Sequence, residues 1–119
     1  SVAARPPTEV SPPRLVVSHA EVRTWLEAQR QALEERNVDR LVELGVMAGP
    51  QAERARNILS RYASFRVTFQ NVEIQISADR ATASFSRIDT IDGQTVPHTE
   101  RKVFIFERGA DGPLTVRPQ

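Results

Sequence analysis

Apolar and polar residues alternate along residues 65–76, which read FRVTFQNVEIQI. The apolar members of this alternation are Phe65, Val67, Phe69, Val72, Ile74 and Ile76. An apolar residue at every second position is typical of a strand with one buried face. The step from Phe69 to Val72 breaks this period, because strict alternation would place an apolar residue at Asn71. We therefore predict one long strand with a bulge near Gln70 and Asn71, which bends it around the helices.

Helices are predicted before this strand, and the first begins at a capping box. Ser18 and Glu21 have the residue types and the spacing of that motif. The helix should continue for about 18 residues, to near Arg36, because apolar or buried positions recur at helical spacing. These positions are Val22, Trp25, Leu26, Gln29 and Leu33.

A second and a third helix follow the first. Asn37 or Asp39 is suited to cap the second helix, and Gly45 to end it. Pro50 suits the first turn of the third helix. The stripe expected to be buried there consists of Ala52, Ala55, Leu59 and Tyr62, with help from Ile58.

The remainder of the chain reads as strands joined by turns. A polar turn at 77–80 precedes a strand over 81–88, and the Asp92-Gly93 turn leads to a third strand over 96–107. Another turn at 109–112 leads to a short last strand over 114–116. The pattern predicts an α+β fold in which three N-terminal helices pack on a curved antiparallel sheet of about four strands.

The first 17 residues differ in composition, since they hold four of the eight prolines. Proline pairs favour extended chain, so we interpret residues 1–17 as a semi-rigid linker and 18–119 as one domain. Residues 15–17 either add a short edge strand or lead into the fold. The chain begins at Ser1 without an initiator methionine, which suggests a piece of a longer protein.

Charge and residue content exclude several classes of function. Sixteen basic residues against 15 acidic ones give a formal charge of +1, so there is no field to recruit nucleic acid or an anionic membrane surface. No apolar run is long enough to span a membrane. The chain has no cysteine, and its two histidines fit no metal-binding spacing. We therefore expect no metal and no cofactor.

Three segments carry a resemblance to a known family. They are ALEERNVDRLVEL at 32–44, ADRATASF at 78–85 and VFIFERGADGPLTV at 103–116. Their order resembles the nuclear transport factor 2-like superfamily, also called SnoaL-like or cystatin-like rolls, over residues 18–117. Leu114 stands where many relatives carry tryptophan. The resemblance is strongest to small bacterial domains appended to kinases or membrane-tethered proteins, and it implies a cone with a pocket between helix and sheet.

The resemblance also implies where an acid or base would lie, because the superfamily's enzymes place such groups inside the cone. Strand periodicity would carry Arg87 and Asp89 inward with Phe85, and His98, Glu100 and Lys102 inward with Phe104. The candidate pocket residues are Trp25, Tyr62, Arg87 and His98. His98 would act as a general base oriented by Asp89 or Glu100. The alternatives are core packing for Trp25 and surface ion pairs for the charged residues.

Two functions follow from these readings. The first is a non-catalytic accessory domain that binds a protein partner or forms a homodimer through Val103 and Ile105, which point away from Phe104. The second is a cone that binds a small apolar ligand, or acts on one as SnoaL-like enzymes do, in a pocket between the first helix and the sheet. The compartment and the parent protein are left open by the sequence.

Overall fold

The computed structural model describes residues 16–110 and 112–119. Three helices precede five strands: α1 (His19–Glu34), α2 (Val38–Glu43), α3 (Gly49–Leu59), β1 (Phe65–Ser77), β2 (Arg80–Ile91), β3 (Gln94–Pro97), β4 (Lys102–Arg108) and β5 (Leu114–Pro118). The strands form one antiparallel sheet in the order β1-β2-β4-β5, and β3 also pairs with β2. The structure confirms the predicted α+β architecture.

The predicted bulge in β1 is present. The pairing of β1 with β2 shifts register between Gln70 and Glu73, and Asn71 adopts a positive φ of 53°. The burial that we predicted beyond the bulge is wrong, however, because Val72 and Ile76 are exposed. β1 is an edge strand. Its second half therefore lacks a neighbouring strand on one side, and only the half before the bulge is well buried.

The single strand predicted over residues 96–107 is two strands. β3 pairs with Ile88–Ile91, and β4 pairs with Arg80–Phe85 farther along β2. The polar residues 98–101 form the segment that connects β3 to β4. In this segment, Arg101 donates hydrogen bonds to the carbonyl oxygens of Asn71 and Ser84, and so links the segment to the bulge of β1.

The helix ends follow the predicted caps closely. Ser18 and Glu21 form both hydrogen bonds of the capping box, at 2.9 and 3.1 Å. α1 ends at Glu34, slightly before the predicted end, and Asn37 caps α2 through a bond from the Arg40 amide. Ile58, predicted to help bury α3, is instead 47% exposed. The helix that carries it ends at Leu59, so Tyr62 lies beyond its last turn.

The segment before α1 is attached to the sheet without forming a strand in its described part. Val17 is buried, and its amide donates to the carbonyl of Ala78 at 3.0 Å. Arg108 on β4 pairs with Glu21 and donates to the carbonyl of Val16. The hydrogen bond from Arg108 lowers the pKa of the Glu21 carboxyl. The other residues of the predicted linker, 1–15, lie outside the described residues.

Aromatic rings form the centre of the core between α1 and the sheet. The ring centroid of Trp25 lies 4.9 Å from that of Phe104 and 5.1 Å from that of Phe106. Phe85 continues the cluster toward Phe69, with ring centroids 4.2 Å apart. Phe85 and Phe106 are completely buried. These rings fix the distance between α1 and the sheet.

Gly45, after α2, lies against β5 and offers a stability test. Its φ is +83°, and a Cβ there would lie 2.3 Å from the carbonyl oxygen of Val116. Gly93 has nearly the same φ, +87°, but open space around it. We expect Gly45→Ala to lower the free energy of unfolding by about 3 kcal/mol or more, and Gly93→Ala by only about 1 kcal/mol. Urea unfolding measures both, and equal losses would show that the contact with β5 relaxes freely.

Candidate functional site

A cleft of about 340 Å³ opens between the helices and one end of the sheet. Its apolar lining includes Leu33, Met47, Ala55, Leu59, Phe65 and Ile91, with Ile58 and Val96 as its exposed members. Its polar lining residues are Tyr62, Arg87, Asp89 and His98. The cleft is therefore an apolar space with polar side chains supplied by β2, by the residue after β3 and by the segment after α3.

Asp89 is the centre of the polar group. It is 5% exposed, and its Oδ1 accepts from Arg87 Nε at 2.8 Å. Its Oδ2 accepts from Arg87 Nη2 at 3.1 Å and lies 2.8 Å from His98 Nε2. One buried carboxylate thus holds a guanidinium and an imidazole together.

The strand geometry explains why these side chains meet. Period two along β2 places Arg87 and Asp89 on the same face as the buried Phe85. β3 pairs with β2 and brings His98 alongside, with the His98 amide donating to the Arg87 carbonyl at 2.9 Å. The backbone ladder therefore places all three residues side by side.

Hydrogen bonding to Asp89 also determines which nitrogen of His98 carries a proton. A carboxylate is only an acceptor, so His98 Nε2 must donate to Asp89 Oδ2. In the neutral imidazole, Nδ1 is then left unprotonated, while in the charged imidazole both nitrogens are donors. The Arg87 charge is balanced by Asp89. The group is therefore neutral with neutral His98 and carries one positive charge with protonated His98.

The structure brings together three of the four predicted pocket residues. Tyr62, Arg87 and His98 line the cleft, and Trp25 does not. Trp25 is 7% exposed in the aromatic core, where its Nε1 donates to the carbonyl of Leu44 at 2.8 Å. The space beside it opens toward α2 and β5, away from the cleft.

The charged residues near the cleft differ from the surface ion pairs that the sequence analysis gave as an alternative. Arg87 and Asp89 do form an ion pair, but their side chains are only 15% and 7% exposed. The expectation of a surface pair is wrong for them. Asp89 is the residue that contacts His98, whereas Glu100 is exposed in the segment between β3 and β4.

Sequence reasoning missed most of the apolar wall. Met47 lies in the loop before α3, and Ile58 and Val96 are exposed residues on separate elements. The sequence placed Ile58 beside the stripe of α3 and Val96 at the start of a strand, but it did not bring them together. The three share no single periodic pattern, because the cleft forms where a loop, a helix end and a strand converge.

The outer face of the sheet contains the two residues predicted for an interface. Val103 and Ile105 are half-buried on β4, on the face opposite Phe104 and Phe106. In the pairing of β4 with β2, Val103 lies opposite Ser84 and Ile105 lies opposite Thr82. The apolar surface at this position is thus short and has polar neighbours on that side.

Residues 16–110 and 112–119 contain no group of three His, Asp or Glu side chains that could hold a metal ion. Among the helices described there, none has the length and apolar character required to cross a membrane.

Comparison with known proteins identifies the fold. No protein-family model matches the sequence, and no curated protein matches it significantly. A nuclear transport factor 2-like protein of unknown function from Pseudomonas putida superposes with a TM-score of 0.65 at 13% identity, covering 82% of this chain and 80% of that one. A candidate dehydratase of the same family from Streptomyces avermitilis gives 0.57 at 15% identity, covering 84% and 94%. This chain has the nuclear transport factor 2-like fold.

The nuclear transport factor 2-like fold of this chain also occurs as part of a longer protein. The helical cell shape determining protein Pgp2 from Campylobacter jejuni superposes with a TM-score of 0.62 at 13% identity. The match covers 84% of this chain but only 39% of Pgp2. At such identities the likeness establishes the fold, and the function has to be argued from the site.

Proposed function

We propose that this nuclear transport factor 2-like domain is a non-catalytic binding module that holds a small, largely apolar molecule in the cleft beside Asp89. The observation that carries the proposal is the buried Asp89 carboxylate, which holds Arg87 and His98 at the wall of an apolar cleft. The cleft volume of about 340 Å³ lies in the range of small-molecule sites.

Energetics favour a functional role for this polar group. A buried ion pair contributes little net stability, because the cost of removing both charges from water offsets their attraction. Apolar residues of similar volume would serve the core equally well at these positions. Arg87, Asp89 and His98 are therefore better explained as groups that a bound molecule contacts than as groups required for folding.

The test uses 2-naphthol, a small aromatic probe without charge at neutral pH, followed by two-dimensional amide NMR spectra of the full chain. We expect concentration-dependent shifts at amides of cleft residues such as Leu59 and Ile91. Ala55→Phe should abolish them, because Ala55 is half-buried in the cleft wall and a ring would fill the space. Ala28→Phe is the matched control, since Ala28 is a half-buried helical alanine outside this cleft.

Two outcomes would contradict the proposal. The first is a titration without shifts up to the solubility limit of the probe. The second is a set of shifts that persists in Ala55→Phe and centres on another surface, such as the one around Trp25.

A second candidate function is docking through the outer face of the sheet, to a partner protein or to a second copy. It is favoured by Val103 and Ile105, which are apolar and only half-buried on a strand flanked by β2 and β5. Such a position is stabilised when another surface covers it. Pgp2, in which this fold is one part of a longer chain, is consistent with an accessory role.

Sedimentation at tens of micromolar tests the self-docking version. We expect a dimer that Ile105→Glu converts to a monomer, because the new carboxylate would be buried in the apolar contact without a partner. Thr24→Glu, at an exposed position of α1 on the other side of the sheet, is the control for added charge alone. If the unmutated chain is a monomer, the homodimer is excluded and only a different protein could dock on this surface.

A further inference from the structure

The charge balance of the cleft specifies the ligand more closely. Resting on the proposed function, we infer that the bound molecule carries a single carboxylate on an apolar body, and that its binding is coupled to the uptake of a proton by His98. The juxtaposition behind this inference is the sharing of Asp89 Oδ2 by Arg87 Nη2, at 3.1 Å, and His98 Nε2, at 2.8 Å.

Few charged groups face this site. Among the described residues that line the cleft, the charged or titratable ones are Tyr62, Arg87, Asp89 and His98. The charged residues next to the lining residues in sequence, such as Glu34, Arg54 and Arg61, are not among those that line the cleft. Arg36, after α1, donates to the Tyr62 carbonyl at 3.0 Å, and Asp92 accepts from the amides of Ala63 and Ser64 at 2.8 Å.

One more cation lies on the neighbouring strand. Lys102 on β4 is paired with Phe85, two residues before Arg87 on β2, and it is not among the residues that line the cleft. The charge that a ligand meets is therefore set by Arg87, Asp89 and His98.

Asp89 cancels the positive charge of Arg87, so the protonation state of His98 determines the net charge of the group. With neutral His98 the group has no net charge, and an anion entering the apolar cleft would lose its hydration without a net opposite charge. Protonated His98 gives the group one unbalanced positive charge. It also adds an N–H donor at Nδ1, while Arg87 keeps the Nη1 donors that Asp89 does not use.

A carboxylate matches this change in both charge and hydrogen bonding. Its two oxygens accept from a guanidinium and an imidazolium, and charge-assisted bonds of this kind are the stronger ones. A single negative charge equals the single positive charge that His98 supplies. A doubly charged phosphate would leave one charge uncompensated among Leu59, Phe65 and Ile91, which is costly in an apolar environment.

The experiment compares two probes of nearly identical shape, 2-naphthoate and 2-naphthol, by isothermal titration calorimetry from about pH 8 to pH 5.5, the interval in which histidine changes charge. We expect the affinity for 2-naphthoate to rise about tenfold across this interval, while that for 2-naphthol changes less than about twofold. Near neutral pH, two buffers of different ionisation enthalpy should report uptake of a proton with 2-naphthoate and none with 2-naphthol.

His98→Gln is the decisive variant, because glutamine keeps an N–H donor for Asp89 but does not titrate. We expect it to bind 2-naphthol as the parent does and to lose both the rise in 2-naphthoate affinity and the proton uptake. His19→Gln is the control. His19 is exposed at the start of α1 and lies outside the cleft.

The possible results distinguish a failure of the proposed function from a failure of the coupling to His98. If neither probe binds at any pH, the proposed function fails and the inference fails with it. If both probes bind with the same pH profile, or if proton uptake persists in His98→Gln, binding in the cleft stands and the coupling to His98 is wrong.

Discussion

Replacing Trp25 with alanine is expected to lower the free energy of unfolding by about 4 kcal/mol. The indole is 7% exposed and packs on the rings of Phe104 and Phe106. Its Nε1 donates to the Leu44 carbonyl at 2.8 Å, which links α1 to the end of α2. The substitution therefore creates a cavity and also leaves a carbonyl without its donor. Urea unfolding followed by far-ultraviolet circular dichroism measures the loss, since the substitution removes the only tryptophan.

Two variants separate the parts of this effect. Trp25→Phe keeps an aromatic ring but removes the N–H donor, and should cost about 1–2 kcal/mol. Val42→Ala removes a side chain that is 38% exposed on α2, and should change stability by less than about 1 kcal/mol. A loss below about 1 kcal/mol for Trp25→Ala would contradict the core assignment and return Trp25 to the role of a ligand-stacking residue.

Local patterns in the sequence predicted the fold where one physical rule acts alone. The shift of apolar residues between Phe69 and Val72 predicted the bulge, because a strand cannot change the face of its side chains without an extra residue. The Ser18 and Glu21 pair predicted the start of α1, because its two hydrogen bonds are local. Neither prediction required knowledge of distant residues.

The errors arise where neighbours decide the outcome. Val72 and Ile76 alternate like buried residues, yet β1 lies at the sheet edge and exposes them. The strand predicted over 96–107 divides because β3 and β4 pair with different parts of β2. The polar run after Pro97 was a usable signal for that break, since a proline followed by several polar residues commonly ends a strand.

The candidate site was only partly predictable, because some of its contacts are local and others depend on distant residues. Period two along β2 placed Arg87 and Asp89 on one face, and the structure has them paired there. The choice between Asp89 and Glu100 as the partner of His98 depended on the division of β3 from β4, which sequence periodicity did not resolve. Tyr62 and Met47 reach the cleft through the placement of α3, a tertiary effect.

Replacing Asp89 with asparagine is expected to lower the free energy of unfolding by about 3 kcal/mol, because Arg87 would keep a largely buried charge without a counter-ion. The side chain of His98 is 29% exposed, which leaves the site partly hydrated. We therefore expect a loss at the low end of the range for breaking a buried ion pair. Urea unfolding at neutral pH measures it. Glu107→Gln is the control, since its pair with Arg80 is 44% and 53% exposed and should be worth less than about 1 kcal/mol.

The double variant Arg87→Met with Asp89→Leu decides whether the polar group serves stability or binding. Replacing both charges by apolar side chains of similar size removes the desolvation cost together with the attraction, so we expect stability within about 1 kcal/mol of the parent. The same variant should bind 2-naphthoate more weakly than the parent at acidic pH, because the guanidinium donor and the carboxylate that orients His98 are both gone, while protonated His98 still supplies one positive charge. If the double variant is instead as unstable as Asp89→Asn, the pair is required for folding, and the energetic argument for a binding site at Asp89 fails.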